Sequence, residues 1–145
     1  MNEIIISTAT YDDISAIATI ENLSFSTPWS ENAIKESMDA ETDFYVARSN
    51  NTVVGYMGLS KIVGEGYVTN VAVLPQYRGL GIGEKILRYA IDDSKDLEFI
   101  SLEVRASNNV AISLYKKLNF EQVGLRKRFY TNPIEDAIIM TKYFS

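Results

Sequence analysis

Midway along the chain an apolar run from Tyr67 to Val73 meets Pro75, passes through Arg78-Gly79-Leu80-Gly81-Ile82-Gly83 and enters a segment of helical spacing. Proline ends a strand because it cannot donate to the ladder. From about Glu84 to Ser94, Ile86, Leu87, Ala90 and Ile91 share one helix face, and Phe99 to Val104 reads as a further strand. Strand, helix and strand in this order make a crossover between parallel neighbours. The flanks read differently. "FYVAR" and "TVVGYMGLS" are separated by Ser49, Asn50 and Asn51, which is hairpin chemistry, and a second turn is expected at Gly64, Glu65 and Gly66. Upstream, Ile4 to Ser7 is a short β-branched run. Thr10 and Asp13 suit a capping box, and Ile14, Ile17, Ala18 and Leu23 are taken as a helix face. Ser30 is a good N-cap, with Trp29 before it stapled onto Ile34. Downstream, "NNVAISLYKKLNF" predicts a helix with Val110, Leu114 and Leu118 buried, and "DAIIMTKYF" a closing strand. The order predicts an α/β (α+β) fold. Its central sheet is mixed, mostly antiparallel and flanked by helices, in a single domain over residues 1–145.

At 145 residues such a domain buries enough surface to need no disulfide or structural metal. The absence of cysteine and histidine excludes thiolate nucleophiles, acyl-cysteine intermediates, serine–histidine relays and zinc clusters. Acid–base work falls to carboxylates, tyrosine, lysine, termini or water. Fourteen basic against nineteen acidic residues give a net charge of −5. That field disfavours nucleic acid and anionic membrane; it serves solubility or draws a basic partner. "MNEII" has no basic stretch leading into an apolar run, and no apolar segment approaches the roughly 18 residues of a membrane span, so a cytoplasmic location is expected.

A glycine loop between strand and helix exposes backbone N–H groups at the positive end of a helix dipole, a cradle for phosphate; a plain sharp connection fits the same spacing. The Walker pattern is excluded because Glu84 and Lys85 follow Gly83 with no hydroxyl for magnesium. A dinucleotide fingerprint belongs in a first strand–helix unit, and this loop lies halfway along the chain. "NVAVLPQYRGLGIGEKIL" instead resembles the acetyl-CoA signature of the GNAT superfamily of N-acetyltransferases, with Arg78, Gly81 and Gly83 filling its core. The resemblance implies acetyl-CoA as co-substrate and no metal. It also implies pyrophosphate contacts from Arg78, Gly79, Leu80, Gly81, Ile82, Gly83 and Glu84, with Val71, Ala72 and Val73 beside the pantetheine and acetyl carbonyl.

In "LEVRASNNVAISLYKKLNF" strand alternation puts Ile100, Leu102 and Val104 on one face and Ser101, Glu103 and Arg105 on the other. Asn108 is a natural N-cap, and Tyr115, seven residues on, lies two turns along the same side. These residues suit a Glu103–Arg105 edge pair, a cap and a packed tyrosine, or else a catalytic set. The run from Leu102 to Phe120 resembles the RimI-type ribosomal-protein-alanine N-acetyltransferases, as do "PWSE" and "FYTNPIEDAIIM". That resemblance implies Glu103 as proton acceptor, Tyr115 as proton donor and Asn108 as a contact to the acetyl-CoA arm. It further implies direct transfer in a ternary complex onto the N-terminal alanine of a basic ribosomal protein, S18, as the partner. Two departures stand out: Asn119 replaces a usual glycine, which its tolerance of the left-handed cap makes harmless, and Phe129 stands where many relatives have a tyrosine before Tyr130. Rival readings are an acetyltransferase for small amines or other protein N-termini, a non-catalytic acyl-CoA sensor and a structural protein.

Overall fold

The computed structural model describes residues 3–144. Its strands are β1 (Ile4–Thr8), β2 (Thr42–Ser49), β3 (Thr52–Ile62), β4 (Glu65–Val73), β5 (Phe99–Arg105), β6 (Glu121–Thr131) and β7 (Ile134–Tyr143). Its α-helices are α1 (Ile14–Ser24), α2 (Glu31–Asp39), α3 (Ile82–Asp92) and α4 (Asn109–Lys117). One seven-stranded sheet runs β1-β2-β3-β4-β5-β7-β6, antiparallel except for the β4–β5 pair, so the expected mixed, mostly antiparallel architecture is present. Of the expected span 1–145, residues 1, 2 and 145 lie outside the described residues. Among the described residues no helix is long and apolar enough to cross a membrane.

Helices cover both faces of the sheet. In β2, Tyr45 and Ala47 join the core under α3 and α4, whereas Phe44 and Val46 join the core under α1 and α2. A strand covered on both sides carries an unbroken apolar run, which explains "FYVA". Asn50 (φ 50°) and Asn51 (φ 67°) make the two-residue β2–β3 turn. Ser30 Oγ accepts from the Ala33 N–H at 3.1 Å, as expected of the α2 cap.

Four local expectations are corrected. Leu23 is 61 % exposed, because nine residues at about 100° each put it opposite Ile14 on α1. The place on the buried stripe belongs to Glu21. Val110 is 85 % exposed, since it lies about 140° around α4 from the buried Tyr115. The second turn is Val63-Gly64, both at positive φ, because Ile62 pairs with Glu65 and the ladder takes in Gly66. A Cβ on Gly66 would stand 2.8 Å from Leu97 Cδ1, so that position must stay slim. The α3 helix also begins two residues earlier than its spacing suggested, at Ile82.

The feature that positions a site is a split in the sheet. The β4 and β5 strands pair only from Glu65–Phe99 to Tyr67–Ser101. Beyond this, β4 stays with β3 up to Val73, and β5 stays with β7 up to Arg105. At the split, Gly58 pairs with Asn70 and Leu59 with Val68, leaving Thr69 as a bulge residue. A bulge adds local twist and turns its strand away from the neighbour. Gly58 accommodates it: a Cβ there would collide with Thr69 Oγ1 and lie 3.0 Å from Phe44 Cε1. Gly58→Ala is expected to destabilise the fold by about 1–3 kcal/mol, lowering the melting temperature by roughly 2–4 °C per kcal/mol in thermal unfolding.

Candidate active site

The loop after β4 is built from backbone. Arg78 turns back and donates its Nε–H to the Val73 carbonyl at 3.0 Å, so its side chain braces the strand end. Gly79 and Gly81 both sit at φ 78°, the left-handed region in which a Cβ is strained. A Cβ on Gly79, Gly81 or Gly83 would meet nothing within 4 Å, so the loop's outer surface is open. Ile82 is 2 % exposed and anchors the helix start in the core, while Leu80 projects outward. The first α3 hydrogen bond runs from the Lys85 N–H to the Gly81 carbonyl at 3.1 Å. It leaves the amides of Ile82, Gly83 and Glu84 without an intrahelical acceptor, at the positive end of the helix. The Glu84 carboxylate is tied to Arg88 (2.9 Å) and Lys117 (3.0 Å), and Lys117, then Arg88, hold it below the usual carboxylate range. An open nest of amides at a helix N-terminus fits a diphosphate, and its glycines allow close approach.

The split opens into a cleft of about 600 Å³ whose walls include Trp29, Asn70, Glu103, Tyr115 and Tyr130. A narrower space of about 40 Å³ adjoins it, reaching Gly83 and Leu87 of α3 and Leu114 of α4. Val68, Val71, Leu102 and Tyr115 line both, so the two spaces adjoin at Tyr115, one reaching Gly83 of the glycine loop and the other Glu103. Of the three β4 positions singled out, Val71 lines both spaces and Val73 packs against the α3–α4 core. Ala72 turns into the opposite core, which leaves only its backbone on the split edge.

Tyr115 is 8 % exposed, with its ring 5.7 Å from that of Phe120. Burial, reinforced by Tyr130, pushes its hydroxyl up to about 12. Tyr130 is raised as well, by burial and then by the negative charge of Glu103. Asn108 Oδ1 accepts from the Ala111 N–H at 3.2 Å, fulfilling the cap. The Glu103–Arg105 pair is absent. Arg105 is taken up by the β6–β7 turn, donating to the Pro133 and Asn132 carbonyls and to Glu135, with its guanidinium 4.3 Å from the Tyr130 ring centre. Glu103 instead meets Arg126 Nε at 3.4 Å. Ala137, registered between Arg105 and Arg126, carries only a methyl group and lets Arg126 reach across β7.

Sequence reasoning missed Glu21, which lines the cleft with 1 % exposure and takes hydrogen bonds from Asn70, Tyr56 and the Trp29 backbone. The available signal was a carboxylate at the seventh position after Ile14, on the helix's own apolar stripe. Arg126 was missed too, because its partner lies two strands away. Trp29, read as a packing residue, both packs under α2 and walls the cleft.

Residues 12–120 match the acetyltransferase (GNAT) family. The chain is 37 % identical over 120 residues to the N-alpha-acetyltransferase RimI of Mycobacterium tuberculosis, covering 79 % of this chain and 75 % of that one. It is 32 % identical over 132 residues to the ribosomal protein bS18-alanine N-acetyltransferase of Escherichia coli, covering 88 % and 89 %. The crystal structure of the E. coli ribosomal-protein-S18-alanine N-acetyltransferase superposes with a TM-score of 0.91 at 31 % identity, covering 99 % of this chain and 95 % of that one.

Proposed function

The chain belongs to the acetyltransferase (GNAT) family of N-acetyltransferases, and from that premise we propose that it acetylates the N-terminal α-amine of a protein, with the N-terminal alanine of ribosomal protein S18 as its acceptor. The observation that carries this reading is that the space reaching Gly83 of the open amide loop and the cleft holding Glu103 adjoin at Tyr115. A donor seated on the loop and an acceptor entering from the Trp29 side meet at Tyr115. The names of the relatives, one an N-alpha-acetyltransferase and one a ribosomal protein bS18-alanine N-acetyltransferase, support an α-amine over a small free amine. The −5 charge suits a basic ribosomal protein. On this reading residues 1–145 act as one catalytic domain in the cytoplasm.

Acetyl-CoA, as donor substrate, supplies an activated thioester. The amides of Gly79 to Glu84 hold its diphosphate; Val71 and Val73 offer backbone groups to its amide arm and carbonyl oxygen, and Asn108 is a further contact to that arm. Glu103, directly or through one water, takes a proton from the acceptor ammonium, which has a free pKa of about 7.7–8.0. The nitrogen forms a bond to the acyl carbon, the carbon–sulfur bond breaks, and the second proton of the attacking nitrogen passes through the Tyr115 hydroxyl to the departing sulfur, which leaves the amide, coenzyme A thiol and one proton on Glu103. Neither a cysteine nor a histidine is required.

Coenzyme A release, followed with a thiol reagent over peptides differing only in their first residue, tests the acceptor. Alanine-first basic peptides are expected to be the best substrates; turnover confined to small free amines would reject the reading. Gly81→Ala tests the donor loop. Its left-handed backbone makes a Cβ cost about 1–2 kcal/mol, so KM for acetyl-CoA is expected to rise about tenfold with the acceptor KM unchanged.

A further inference from the structure

Between α1 and α2 the chain from Phe25 to Ser30 has no regular structure, yet Phe25, Thr27 and Trp29 wall the outer end of the cleft. Next to the α2 cap it is tied down at one buried point. Glu21 Oε1 accepts the Trp29 backbone N–H at 2.9 Å, and Oε2 accepts Asn70 Nδ2–H at 2.8 Å together with the Tyr56 hydroxyl. Asn70 borders the Thr69 bulge on β4, and Tyr56 belongs to β3. The carboxylate therefore joins a wall segment to the half of the sheet that splits away from β5. All three partners are donors, so an acceptor-only group serves all of them, whereas an amide must set its own NH₂ against one.

We propose that Glu21 is a positioning residue for the acceptor, tethering the 25–30 segment to the split sheet and so setting how far Trp29 stands from Tyr130 across the cleft. This rests on the reading that the acceptor enters at that end. The glycine loop and Tyr115 lie outside the tether, and Val71, next to Asn70, is held by its own ladder partner Met57, so donor binding and the chemical step depend on the tether far less than acceptor binding does.

Trp29 is the only tryptophan, and its fluorescence reports the segment without ambiguity. Glu21→Gln is expected to shift its emission to the red and to raise the acceptor KM about tenfold, leaving kcat and the acetyl-CoA KM within about threefold of wild type. Tyr56→Phe keeps the other two hydrogen bonds, so its acceptor KM rises only about two- to threefold; it carries the test if Glu21→Gln does not fold. Unchanged emission and acceptor KM would overturn the tether, as would an equal rise in both KM values. If the wild-type protein acetylated no peptide, the functional reading would fail, while the emission shift would still decide the tether.

Discussion

Glu103→Gln is expected to lower kcat with an alanine-first peptide by about 100-fold or more, the range for removing a positioned base. The loss should depend on pH in a definite direction. Below about pH 7.7 the acceptor is mostly ammonium, and wild-type Glu103 accepts its proton, whereas the variant must wait for amine that solvent has already deprotonated. The ratio of wild-type to variant rate is therefore largest near pH 6.5 and shrinks as pH rises past about 8. Stability should hardly change. Glu103 is partly exposed and its ion pair with Arg126 spans 3.4 Å, a type that contributes less than about 1 kcal/mol. Steady-state rates between pH 6 and 9 beside a thermal melt separate the two effects, and an equal loss at every pH would rule out the base role.

Tyr115→Phe should be the second large effect, with kcat falling by about 100-fold and the acetyl-CoA KM moving by less than about threefold. Burial holds the hydroxyl at about 12, so it stays protonated through any ordinary assay and contributes no alkaline limb to the pH profile. Wild type and variant are expected to give profiles of the same shape at different heights. A phenol at that value is a weak acid toward a thiolate of about 8.5, so stabilising negative charge on the departing sulfur is the larger part of its contribution. An alkaline limb near pH 9 that vanished in the variant would mean that substrates retune Tyr115 strongly.

Much of the fold was legible because local chemistry and long-range topology agree. The two asparagines of the β2–β3 turn, the Ser30 cap and the strand–loop–helix–strand crossover are each local signals. Two of the errors share a cause. Leu23 and Val110 are apolar residues on the wrong angular side of their helices, and tallying apolar residues hid what a count of 100° per residue reveals. At the site, Glu103, Asn108 and Tyr115 stand out in the sequence through the resemblance of one strand–helix run to a family, while their residue types alone left an edge pair, a cap and a packed tyrosine open; all three line the cleft. The Thr69 bulge, the reach of Arg126 across β7 and the threefold use of Glu21 depend on residues from separate strands meeting. Periodicity has no access to such meetings, and only the burial of a carboxylate on an apolar stripe hinted at the last.

The central claim is that the acceptor is an α-amine. The most direct test is to incubate the protein with acetyl-CoA and an alanine-first peptide that also contains lysines, then locate the added acetyl group by fragmentation mass spectrometry. The proposed chemistry predicts the acetyl group on the first residue and none on lysine; modification of lysine side chains alone would contradict it.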